Sequence, residues 1–338
     1  MVKAARSFLL VVLGATFAAA LAGSGLLWPQ ASAAQQVGRL PMDLVAMFPK
    51  DIGEFAYADL RSARRYAWFP QLREQLTPSR FKQFEQFLAS VGLDPANQVH
   101  EAAWALVPPT ETTGEQIVGI AVGSFSPEST EANFRQLKLP VVEHRGFRLY
   151  AYGSGAGPQD IFFFFLDSTT AAFGHRNLVE QLIEVRYGAA EGLLRNDQMF
   201  PLIHELNGRG LVWAVLDRTY TQVAMKQLVP EAAQFPEASR IAAKVQYMTI
   251  LVNADRDVNT QFHAVCANTE DANLLAATLQ AGLLYRRYQA QQANQGELVQ
   301  LLDAIRITPR GERLELLMAL NQDLLQALLR RNLFLPTL

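Results

Sequence analysis

The sequence predicts an α+β fold made of a duplicated unit, with mainly antiparallel sheets and helices packed on one face. Three observations lead there. A strand, a turn and an amphipathic helix occur together twice, in residues 116–137 (QIVGIAVGSFSPESTEANFRQL) and 258–279 (VNTQFHAVCANTEDANLLAATL). The flanking segments repeat in the same order, strand–helix–strand–strand–helix–hairpin–helix, which sets copies at 40–190 and 205–333. The strands also follow one another through hairpin-length connections, the pattern of antiparallel rather than parallel pairing. A chain of 338 residues has room for two such copies.

In chain order, residues 35–50 read as a lead-in interrupted by Pro41 and Pro49. Residues 53–60 alternate Phe55 and Tyr57 with smaller side chains, the period of a half-buried strand. Phe81, Phe84, Phe87, Leu88 and Val91 recur at helical spacing, with Thr77 or Ser79 available as a cap and Gly92 as a stop. Strands follow at 102–107 and 117–125. Ser126-Pro127-Glu128 then opens a helix, with serine as cap, proline in the first turn and an acid on the positive end of the dipole. Strands at 147–152, 161–167 and 171–174 precede a helix carrying Leu178, Leu182 and Val185 and ending near Gly188.

The second copy replays this order. Residues 211–216 match the first strand, and Asp217 stands where Asp59 stood. Helical segments are expected around Pro230 and Pro236, then strands at 245–252 and 259–266. Asn268 caps a longer helix with Leu275, Leu279 and Leu283 as its stripe. A hairpin turns through Pro309-Arg310-Gly311-Glu312, and a closing helix carries Leu324, Leu325, Leu328 and Leu329. The second copy is one short strand poorer. The run 161–166 (IFFFFL) is apolar at every position, which calls for burial on both faces of its strand.

Half of the residues are apolar and 18% are charged, a globular composition. The formal charge is −2; without residues 1–34, which hold Lys3 and Arg6 but no acid, the balance is 28 basic against 32 acidic, or −4. A weakly acidic body carries no footprint for nucleic acid. Residues 1–34 read as a secretory signal peptide: a short basic start, an uncharged core, and Ala31-Ser32-Ala33 at the cleavage position. An uncleaved anchor is the other reading, since the 21 residues 8–28 hold no charge, and membrane contact is expected only in that case. Either reading puts the body in the periplasm or otherwise outside the cytoplasm. Cys266 is the sole cysteine, so no disulfide forms within the chain, and its apolar setting reads as a small buried thiol.

The residues offer no catalytic assignment, no cofactor motif and no metal-ligand spacing. His100, His144, His175, His204 and His263 lack a second ligand at short range. The glycine-rich run 153–158 ends in Pro158 and feeds a strand, so it reads as a hairpin loop rather than a phosphate cradle. Asp255-Arg256-Asp257 reads as a solvated turn, and the pairs Arg64-Arg65, Arg286-Arg287 and Arg330-Arg331 as helix-end cations.

The closing pattern IRITPRGERLELLMALNQDLLQALL, residues 305–329, together with the amino-terminal segment and the aromatic first strand before Asp59, resembles exported bacterial proteins grouped as a domain of unknown function. That resemblance implies export and no particular activity. With no chemistry-bearing motif and with apolar elements left over on both faces, the expected function is a non-enzymatic envelope module that binds an envelope protein or an apolar ligand, the latter in a closed apolar cavity lined by residues such as Phe163 and Phe165. An envelope hydrolase with a site assembled from both copies is the alternative.

Overall fold

A computed structural model describes residues 38–77, 79–110, 113–228, 240, 243–255 and 257–330; the amino-terminal signal and the helical segments expected around Pro230 and Pro236 lie outside them. Twelve strands join into one sheet, and every pairing is antiparallel. The fold is α+β, as its sequence predicts. The expectation of more than one sheet is corrected, because the two halves share an edge and hydrogen-bond to each other at the centre.

That centre is the pair β1 (Glu54–Asp59) and β8 (Val212–Leu216), with Ala56 opposite Ala214. On one side follow β2 (Val99–Val107), β3 (Gln116–Gly123), β7 (Thr170–His175), β6 (Ile161–Phe165), β5 (Phe147–Tyr152) and β4 (Val141–His144). On the other follow β9 (Val245–Ala254), β10 (Asp257–Cys266), β12 (Arg313–Asn321) and β11 (Ile305–Arg310). The first half is thus richer by the whole β4–β5 hairpin, two strands rather than one. Its turn is Arg145-Gly146, both with positive φ, as a tight two-residue connection requires.

Two strand ends at the seam are built alike. The Asp59 amide donates to the Leu211 carbonyl at 2.7 Å, and the Asp217 amide donates to the Gly53 carbonyl at 2.7 Å. Each aspartate then caps the helix it opens, accepting from the amide three residues on: Ser62 at 2.9 Å for α2 (Leu60–Ala63) and Tyr220 at 2.9 Å for α9 (Arg218–Leu228). Among the described residues the remaining helices are α1 (Met42–Ala46), α3 (Phe69–Leu76), α4 (Ser79–Ser90), α5 (Pro95–Gln98), α6 (Pro127–Gln136), α7 (Arg176–Arg186), α8 (Met199–Leu206), α10 (Thr269–Gln292), α11 (Gly296–Asp303) and α12 (Gln322–Arg330).

Helices on one face is the expectation the structure overturns. Leu178 and Leu182 of α7, Ile203 of α8 and Val45 of α1 cover one face of the central strands. Phe84 of α4, Phe134 of α6, Leu275 of α10 and Leu328 of α12 cover the other. Every residue of β1, β6 and β8 is consequently buried, which explains the uninterrupted apolar run of β6. On the first of these faces an aromatic column, Phe48–Phe55–Trp213–Tyr57, locks the seam with ring centroids 4.9–5.6 Å apart. Packing is one-sided at β10–β12–β11, where Phe262 faces the helices and the alternate residues Gln261, His263 and Glu315 face away.

Two local expectations also change. The lead-in contains helix α1, which starts directly after Pro41, so the proline begins a helix rather than breaking one. Ser126 does not cap α6 through its side chain; Pro127 and Glu128 open the helix as expected, and it is the Ser126 carbonyl that accepts from Ser129 Oγ at 3.1 Å. Asn268, by contrast, caps α10 by accepting from the Asp271 amide at 2.8 Å.

Candidate binding cavity

Register places a row of four alanines side by side across the first half of the sheet. Ala58 pairs with Ala102, Ala102 with Ala121, and Ala121 with Ala171, all on the face that carries α4. The row ends at Phe165, the partner of Ala171. A methyl fills only the first shell above a sheet, so four adjacent alanines leave a furrow. In the next row Gly119 pairs with Phe173, and a Cβ on Gly119 would lie 2.3 Å from Phe173 Cζ; the missing side chain is what lets that ring lie down on the sheet.

Helix α4 roofs the furrow. Its Phe81, Phe84 and Leu88, spaced at three and four residues, point down towards the sheet, and Phe125 closes the end after β3. The roof and floor enclose a partly open apolar cavity of about 110 Å3. Phe163 anchors its inner wall, with ring centroids 6.0 Å from Phe84, 6.1 Å from Phe87 and 5.3 Å from Phe134. Phe163 and Phe165, the two rings named from the sequence, both line it, but the cavity is partly open where a closed one is expected.

The polar side chains that line it are Glu85 and Gln98. Glu85 is paired with Arg73 of α3 at 2.5 Å, both side chains largely buried. Burial pushes the Glu85 carboxyl above its ordinary value even against the pull of Arg73. Nearby, burial and the Arg73 charge lower the Arg64 guanidinium, whose Nη2 donates to the Val99 carbonyl. The arrangement is an apolar slot with a charged pair on one flank.

A second concentration of titratable groups sits at the seam. Glu54 is fully buried, and neither of its carboxyl oxygens has hydrogen-bonding geometry with a described residue. Burial, then the charge of Glu115, raises its carboxyl well above the ordinary carboxylate range; the Trp104 indole opposes them, and the Asp217 charge adds a smaller push upward. Burial likewise raises Glu115 and Asp217. The Tyr220 hydroxyl donates to Glu115 at 3.2 Å. These groups, three carboxyls and a phenol, come from both halves of the chain, as the hydrolase alternative requires.

The other candidates are dispersed. His175 is buried, with Nδ1 accepting from the Ile117 amide at 3.0 Å. His144 meets Glu184 at 2.8 Å, His263 meets Glu315 at 3.5 Å, His100 contacts Arg61, and His204 lies beside the Phe200 ring. Among the described residues no group of three or more histidine, cysteine or acidic side chains is placed to hold a metal ion. Cys266 is buried, and its thiol is pushed up to about 11 by burial and then by Asp271. The glycine-rich run connects β5 to β6 as a hairpin loop filled by its own Asp160, which accepts from the Gly157 amide at 2.9 Å and Ser154 Oγ at 3.0 Å. Burial acts on Asp160 in the opposite direction, but these donors hold it below its usual value. Asp255 and Asp257 close the turn between β9 and β10, and Arg256 and Arg331 lie outside the described residues. Arg287 pairs with Asp303 at 2.7 Å.

The fold has a solved counterpart. It is similar to the structure titled "Structure of crystal form I of TP0453", with a TM-score of 0.50 and 9% sequence identity over 88% of this chain and 99% of that one. At that identity the likeness concerns the fold alone. No protein-family model matches the sequence, and no curated protein matches it.

The sequence signals behind the cavity are uneven. The Phe run and the α4 stripe are visible as patterns. The alanine row and Gly119 are not, because five small residues on four strands become a site only when the register aligns them. Glu85 and Arg73 are ordinary helix charges until α3 and α4 fold together.

Proposed function

We propose that this chain is an exported, non-enzymatic binding module whose cavity takes the end of a hydrocarbon chain from an amphiphile. The alanine row under α4 carries the reading. A natural core is packed to crystal-like density, and a void of this size costs stability unless something fills it or uses it. An apolar cavity stays dry and accepts apolar guests. At about 110 Å3 the slot suits a short hydrocarbon segment rather than a whole lipid. The amino-terminal segment supports export, through either a removed signal or a retained anchor.

The chain reads as a tandem duplication, which explains why the cavity lies in one half. The paired seam hydrogen bonds and the two capping aspartates are related by one shift, 217 − 59 = 158 and 211 − 53 = 158. Carried outward through the strand ladders, that correspondence sets Ala102 against Met248, Gly119 against Phe262, Ala121 against Ala264, and Ala171 against Leu314. At three of these four positions the second copy is larger, with methionine, phenylalanine and leucine, and at the fourth both copies have alanine. The second copy fills its furrow from within, and the first leaves it to a guest.

The test is native mass spectrometry of the protein purified gently from its own envelope fraction. The expected result is extra mass that leaves on denaturation and is identified as an amphiphile. A bare protein that also takes up no medium-chain fatty acid on incubation would overturn the reading.

A further inference from the structure

A surface helix ordinarily shows water its charges. The 24-residue α10 does not. From Asn273 to Tyr285 its outward residues carry no charge, and Leu274, Leu284, Tyr285 and Tyr288 are 46%, 64%, 53% and 60% exposed. Along that face Leu274, Ala277, Ala281, Leu284 and Tyr288 are all exposed and recur at intervals of three, four, three and four, the seam of a helix pair.

We propose that this seam is a homodimer interface in which α10 packs antiparallel against α10 of a second copy. From Leu274 to Leu284 the seam reads the same from either end about Leu279. Turning one helix over brings Leu274 against Leu284 of its mate, with Ala277 against Ala281 between two such pairs. The same operation sets Glu270 against Tyr288, whose phenol can donate to it. It also lays the exposed Glu270 of the first turn alongside the stretch that carries Arg286, and opposes the two helix dipoles. A two-fold contact needs this self-complementarity in size and charge, whereas a different partner protein or a lipid surface would not require it. Over 24 residues the helix is about 36 Å long, and the central alanines let the backbones approach closely.

Cysteine pairing in the whole chain tests the register, and sedimentation equilibrium tests the dimer. Ala277→Cys and Ala281→Cys proteins, each oxidised alone, should give little covalent dimer, because identical positions sit about a helical turn apart and a disulfide needs close Cα atoms. Mixed together, they should cross-link readily. Leu284→Glu should weaken the dimer by roughly tenfold or more. Leu284 is exposed, so unchanged circular dichroism would show that the variant still folds. A monomer at all working concentrations, or cross-linking of either variant by itself, would overturn the proposal. Binding to lipid vesicles by a monomer would assign the face to a membrane surface and overturn it too.

Discussion

Replacing Ala171 by leucine adds three carbon groups directly into the furrow, between Ala121 and Phe165. Two routes give the magnitude. The cavity of about 110 Å3, at roughly 24 cal/mol per Å3, represents about 2.6 kcal/mol of unrealised packing. Three methylene equivalents buried from water contribute about 0.8 kcal/mol each, or about 2.4 kcal/mol. The agreement puts the gain near 2 kcal/mol once the rotamer cost of fixing a leucine, about 0.5–1 kcal/mol, is taken off. The unfolding entropy of a 338-residue chain is about 0.7 kcal/mol per degree at the midpoint, so the melting temperature should rise by about 3 °C. Scanning calorimetry and urea unfolding of the ligand-free protein both read this. Ala102→Leu, from a different strand of the same floor, should behave alike. A loss of more than about 1 kcal/mol in both variants would mean that the space is already filled by side chains, and the cavity argument would fail.

Other consequences follow from the same geometry. Glu54 is protonated in the folded chain above the 4.5 of a free carboxyl, so the native state binds more protons than the unfolded one. Stability should therefore fall as pH rises from that value through the raised folded value, and Glu54→Gln should flatten the fall in urea midpoints measured across pH. Asp217→Ala should cost about 1 kcal/mol through loss of the α9 cap, read by urea unfolding. Asp59→Ala should cost more, because Asp59 also accepts from the Gly38 amide at 2.8 Å. Cys266 should resist alkylation at neutral pH until the chain unfolds, since its thiol is buried and pushed up to about 11; fast labelling of the folded protein, followed by mass, would refute this.

Much of the element order was legible because period and punctuation are local properties. The aromatic alternation before Asp59 and Asp217, the Asn268 cap and the leucines of α12 each announce their element within a few residues, and all four α12 leucines are buried. The faces were not legible. Tyr57 and Ala56 look like one apolar and one small position, yet they serve opposite cores, and only the docking of α7 and α8 shows that both sides of the strand are dry. Ser126 misled for a related reason: the Ser-Pro-Glu pattern is satisfied by proline and dipole alone, with the hydroxyl unused as a cap. The cavity was half legible. Consecutive phenylalanines report that something must be buried against them, whereas Ala102, Ala121 and Ala171 are silent until their strands are paired.

If the first-half furrow holds hydrocarbon, ligand chain length should matter. Titration calorimetry of the delipidated protein with saturated fatty acids of increasing chain length tests it most directly. Affinity should climb with the first few added methylenes, level off once the slot is full, and drop sharply in Ala171→Leu. Affinity that is independent of chain length, or unchanged by filling the furrow with leucine, would contradict it.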